Sequence, residues 1–196
     1  MKLSTTPVIS ASASEVIAHT KTWLERAVIG LNLCPFAKAV HIKNQIRYVV
    51  SEANTVEDLL TDLVNELKFL QQADPVTVDT TLLIHPKVLG DFLDYNDFLA
   101  VADAAIDELD LVGEIQIASF HPDYQFADAT SDDISNYTNR APYPTLHLLR
   151  EDSVERAVDA FPEASEIFEK NMQTLQQLGL AGWERVMRGK PAKSES

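Results

Sequence analysis

A chain of 196 residues, 45% hydrophobic and 23% charged, is long enough to bury one sizeable core and is read as a single domain. Thirty acidic against 16 basic residues leave a net charge of −14, which works against binding nucleic acid or an anionic membrane, since both select a basic footprint. The six glycines form neither G-x-G-x-x-G nor a P-loop, and no apolar run is long enough to span a bilayer. With no signal-peptide pattern in residues 1–14 and a single cysteine, Cys34, the expected compartment is the cytoplasm.

In chain order, residues 1–11 are rich in Ser, Thr and Ala and read as a flexible tail, with the domain running from 12 to 188 and a second tail over 189–196. Val16, Ile17, Thr20, Leu24, Ala27, Val28 and Leu31 share one face at helical spacing and predict a helix over 14–31. Cys34 before Pro35 reads as the N-cap of a short helix reaching residue 40. The first strand is 46–50. A strongly amphipathic helix over 55–71 follows, with Val56, Leu59, Leu60, Leu63, Val64, Leu67 and Leu70 in its stripe. A second strand, 80–84, ends at His85-Pro86. A helix over 92–109 has Asp91, Asp94 and Asn96 as rival caps, and a third strand, 115–120, ends at His121-Pro122. After a long loop, residues 145–149 form the fourth strand, and helices over 152–160, 163–178 and 180–187 close the domain, broken at Phe161-Pro162 and Gly179.

Strands separated by helices of this length imply parallel pairing through right-handed crossovers. No helix precedes the fourth strand, so it should run antiparallel to the third. The expected fold is therefore α/β: a small mixed four-stranded sheet, three strands parallel and the fourth antiparallel, with helices packed on it.

The loop over 121–144 is longer than connections in a compact domain usually are, and loops of that length are either functional or disordered. Tyr124, Phe126, Tyr137 and Tyr143 supply the aromatic anchors that disordered segments lack. Thr130 and Asp133 have capping-box spacing for a short helical turn near 131–137. Ligands of open parallel sheets bind outside the carboxyl ends of the strands, where His85 and His121 are expected, with His147 near the start of the fourth strand. Histidines converging there could hold a metal, but no short metal-ligand spacing occurs. Each also has a structural reading: a histidine before proline can close its own turn by hydrogen-bonding backbone, and His147 alternates with Thr145 and Leu149 like a core residue. Arg140, the sole cation between Lys87 and Arg150, can clamp a carboxylate or phosphate, or can pair with Asp128, Asp132 or Asp133 to order the loop. Cys34 is either a thiol activated by a helix N-terminus or a buried small hydrophobe beside Leu33 and Phe36.

Three blocks carry a family resemblance: Gly30-Leu31-Asn32-Leu33-Cys34-Pro35-Phe36-Ala37, Ser119-Phe120-His121-Pro122-Asp123-Tyr124-Gln125-Phe126, and Tyr137-Thr138-Asn139-Arg140-Ala141-Pro142-Tyr143-Pro144 running into Leu146-His147-Leu148-Leu149-Arg150-Glu151. They resemble a bacterial family known as domain of unknown function fourteen-fifteen. The resemblance implies a bacterial cytoplasmic protein and brings no activity, cofactor or metal with it.

The leading expectation is an enzyme or binder of a small polar or anionic molecule at the carboxyl edge of the sheet. In it, His121 is the general acid/base, Asp123 its orienting partner and Arg140 the anion clamp, with Asn139, Tyr124, His85 and His147 around the ligand. The alternative is a non-catalytic protein-interaction or structural module whose histidines are structural. The two differ in whether those side chains line a cavity or are tied into the core.

Overall fold

The computed structural model describes residues 11–160 and 166–190. The expected tails fall mostly outside the described residues, as does the start of the helix expected from residue 163. Six α-helices and four strands are formed among the described residues: α1 (Ala13–Trp23), α2 (Ala37–Ile42), β1 (Ile46–Val50), α3 (Val56–Gln72), β2 (Thr80–Ile84), α4 (Phe92–Glu108), β3 (Ile115–Phe120), β4 (Thr145–Arg150), α5 (Glu151–Asp159) and α6 (Ile167–Met187).

Local chemistry sets most of these boundaries. Ser12 and Glu15 form a capping box at the start of α1, Thr55 accepts from the Asp58 N–H at the start of α3, and Asp91 wins among the rival caps of α4 by accepting from Leu93 and Asp94. The helix expected over 14–31 divides at Trp23. Beyond it, Leu24–Ile29 is a π-helical turn, in which the Gly30 N–H reaches back five residues to the Glu25 carbonyl. Past this underwound turn, the N–H groups of Leu33 and Cys34 both reach the Val28 carbonyl. Cys34 and Pro35 are therefore still closing the first helix, and α2 begins later than expected, at Ala37. Gly179 interrupts α6 with φ 62° and ψ 173°, a backbone that glycine adopts without strain, so the two expected helices meet there at a kink.

The sheet corrects the expected topology. Its order is β1-β2-β4-β3. Only β1 and β2 pair in parallel, joined by the α3 crossover, while β4 lies antiparallel between β2 and β3. The α4 crossover thus skips one position, and the long loop carries the chain back into the gap. The physical reason lies in β4 itself. Leu146 and Leu148 are fully buried on one face, and Thr145 and His147 lie on the other, so the strand buries more as a central element than it could at an edge.

The main core fills the space between one sheet face and helices α3 and α4, where Leu59, Leu63, Leu67, Leu70, Leu83, Tyr95, Ala102, Leu146 and Leu148 pack together. The opposite face, with Tyr48, Leu82, Ile84 and Phe120, is covered by α1, the π-helical turn and, through Leu175 and Trp183, by α6. α6 also packs on a 3-10 turn, Ile134–Thr138, inside the long loop. Leu146→Ala, which would open a cavity under α3 and α4, is expected to cost about 2–5 kcal/mol, read as a lowered denaturant midpoint at an unchanged m-value.

Candidate functional site

Because His85 directly follows Ile84 and His121 directly follows Phe120, period-2 alternation sends both imidazoles to the α4 side of the carboxyl edge. Both lie against Tyr95, whose ring centroid is 5.7 Å from that of His85 and 5.1 Å from that of His121. The Tyr95 hydroxyl donates to the Thr145 carbonyl at 2.9 Å and accepts from the Phe120 N–H at 3.1 Å, bridging the ends of β3 and β4. The sequence analysis assigned Tyr95 no role at this edge. Its neighbours supply the only signal, since Asp91 four residues earlier caps the helix and fixes which face Tyr95 presents.

Both histidines are fully buried. The His121 Nδ1 accepts from the Asp123 N–H at 3.0 Å, so its proton must be on Nε2, which donates to the Leu89 carbonyl at 3.2 Å. Both ring nitrogens are thereby committed to main chain. Asp123 reaches the ring through its peptide N–H, while its carboxylate lies exposed and opposes the fall in the His121 pKa that burial produces. His85 has the other tautomer: Nδ1–H donates to the Val88 carbonyl at 3.0 Å, and Nε2 is buried without a partner. Burial lowers its pKa to about 4, against the opposing hydrogen bond to Val88.

His147 is not part of this pair. It projects from the opposite sheet face, in register with Leu82 and 6.1 Å from the Phe120 ring. The Thr80 hydroxyl donates to the Leu148 carbonyl at 2.6 Å and so accepts from the His147 Nε2–H at 2.7 Å. Burial lowers the His147 pKa to about 4. Among the described residues there is no group of three or more His, Cys, Asp or Glu side chains placed to hold a metal ion.

The loop is ordered by side chains that bond to its own backbone. Arg140 donates from Nε to the Tyr124 carbonyl at 3.1 Å and from one Nη to the Ser131 carbonyl at 2.7 Å, and its guanidinium lies 4.7 Å from the Tyr137 ring centroid. It binds carbonyls, not the aspartates that surround it. Asn139 ties the loop to β3 twice, donating from its amide to the Ser119 carbonyl and accepting from the His121 N–H with its own carbonyl. Tyr124 donates its N–H to the His121 carbonyl and packs against Phe92 and Phe126. Asn136, which sequence reasoning missed, is fully buried. Its Oδ1 accepts from the Phe126 N–H, and its Nδ2 donates to the Thr130 carbonyl. An asparagine in a polar loop carries no signal of such burial.

Cys34 is half-buried, and burial raises its thiol pKa, the reverse of what an activated nucleophile requires. Alkylation by iodoacetamide at pH 8 should therefore run several-fold slower in the folded chain than after denaturation.

The geometry defines a mixed α/β fold whose longest loop is anchored by the buried His121 and by Arg140. The chain matches the family described as protein of unknown function (DUF1415) over residues 15–185, and it belongs to that family. It matches no curated protein and no solved structure. Among the described residues no helix is long and apolar enough to cross a membrane.

The buried histidine gives a pH dependence with a definite sign. The folded His85 pKa, about 4, lies below the unfolded value near 6.5, so the unfolded chain binds more protons between the two. Its contribution is full above about pH 6.5 and declines as pH falls toward 4, by up to about 1.4 kcal/mol per pH unit. His85→Asn, which can keep the donor to Val88, is expected to reduce the slope of melting temperature against pH over that window, leaving the share that His147 contributes there.

Proposed function

We propose that this chain is a non-catalytic protein-interaction module, in which His85, His121, Asn139 and Arg140 build a rigid platform at the carboxyl edge of the sheet. One observation carries this reading: both ring nitrogens of His121, and the Nε and one Nη of Arg140, already bond main-chain groups. A general acid/base needs a nitrogen free to exchange a proton with substrate, and an anion clamp needs its fork turned outward. Here the same groups close turns. Loops held this way on a rigid scaffold commonly serve recognition, because the surface they present loses little entropy on binding.

The acidic surface suits a partner segment carrying Lys or Arg, since opposite charge speeds encounter and like charge excludes wrong partners. The competing reading makes Arg140 the clamp for a small anionic molecule, with His121 and Asp123 as an acid/base pair and Asn139, Tyr124, His85 and His147 around it. Arg140→Ala separates the two. As a structural tie its loss should cost about 1–3 kcal/mol, lower the melting temperature and expose the loop over 121–144 to limited proteolysis. The interaction reading is overturned if Arg140→Ala leaves melting and proteolysis unchanged while abolishing binding of inorganic phosphate or acetate that the native chain shows by NMR titration.

A further inference from the structure

The bonds that close the turn after β2 also shape the surface beside it. His85 holds the Val88 carbonyl and His121 holds the Leu89 carbonyl, so residues 86–90 are pinned from two strands. Between those two anchors Leu89 adopts φ 56°, a left-handed conformation that a leucine keeps only where its surroundings impose it. Leu89 forms one lip of a groove of about 330 Å³ between the start of α3 and the outer flank of α4. Val56 supplies the α3 side, and Asp94, Asp97, Phe98 and Val101 supply the α4 side at i, i+3, i+4 and i+7, one face of that helix.

Two properties of this groove point to what it takes. Its apolar walls are accessible, with Val56 39% and Val101 41% exposed, and Leu93 on the same helix is 71% exposed. Its rim carries the exposed carboxylates of Asp94 and Asp97, neither with a hydrogen-bond or ion-pair partner among the described residues. A greasy floor between unpaired negative charges complements a segment with apolar anchors and flanking cations. Nucleic acid and anionic membrane would meet the same carboxylates and a net charge of −14, and a second copy of the chain would bring that net charge with it.

We propose that the groove of Val56, Leu89, Asp94, Asp97, Phe98 and Val101 docks a short amphipathic helix of a partner protein, its apolar residues on Val56 and Val101 over the buried Phe98 and its Lys or Arg residues on Asp94 and Asp97. This rests on the interaction-module reading and names the partner's chemistry. The helix-in-groove mode needs a preformed floor, and the two histidines supply it by fixing the Leu89 lip before the partner arrives.

The test uses the full ¹⁵N-labelled chain and a synthetic helical peptide with leucines at i, i+3, i+4 and i+7 and lysines on both flanks, with a scrambled peptide of equal charge as control. Amide shifts on titration should centre on residues 56, 89, 94–101. Val101→Glu, a change at an exposed position, should abolish them while leaving the circular dichroism intact. Asp94→Asn/Asp97→Asn should weaken binding about three- to tenfold, whereas Asp103→Asn/Asp107→Asn, an equal charge change farther along α4, should not. Equal losses in the two double variants, or equal binding of the scrambled peptide, would reduce the effect to net charge and overturn the proposal. So would a dimer of the native chain, seen by sedimentation, that Val101→Glu dissolves. Shifts that map instead to the loop over 121–144 would overturn the groove and leave the module reading standing, while the Arg140→Ala result bears on that reading alone.

Discussion

Where β3 and β4 separate, the hydroxyl of Tyr95 takes an N–H from Phe120 and gives its proton to the carbonyl of Thr145, so one side chain from α4 joins two strands and the helix. A buried phenol without both partners would cost more than the bonds contribute, so the arrangement holds only if helix and strands are all in place. His85 and His121 both pack against its ring, and their own bonds then hold the turn at Val88 and Leu89 and the turn at Asp123. Burial of Tyr95 raises its pKa, and burial keeps both imidazoles neutral near neutral pH. The carboxyl edge is thus built from uncharged polar groups in an acidic protein.

The arginines follow a related logic. Arg150 donates to the carbonyls of Leu70 and Ala73 at the end of α3, and Arg26 to the carbonyl of Met187 at the end of α6. Helix C-termini leave carbonyls without intrahelical partners, and a guanidinium satisfies several at once while opposing the negative end of the helix dipole. Arg140 does the same for an irregular loop. Arg47 forms a two-pronged pair with Glu66, which is largely buried, and stacks on Phe69.

The secondary structure was legible because its causes are local. Period-2 and period-3.6 apolar patterns, the Ser12, Thr55 and Asp91 caps and the two His-Pro strand ends gave β1, β2 and β3 to the residue, and α3 and α4 to within one residue at each end. The meeting of His85 and His121 was also legible, because two strands that run the same way and end in the same dipeptide put those histidines on one edge. Their roles were not. Whether an imidazole faces a ligand or a carbonyl depends on where residues 88, 89 and 123 lie in space, and each is set by a turn that other elements pin.

The set of elements and the α/β class were legible in the order of residues, since each follows from neighbours a few positions apart, and the three blocks around Cys34, His121 and Arg140 carried the family resemblance. Tertiary structure alone decided that β4 enters between β2 and β3, that His147 looks to the opposite face and that Arg140 binds carbonyls in place of aspartates. It also decided that Leu89, held in a left-handed conformation, lines a groove with two unpaired carboxylates. Strand order depends on which placement buries the most apolar surface, and a guanidinium's partner on which acceptors have lost their water. Both are properties of the assembled core, to which residues far apart in the chain contribute together.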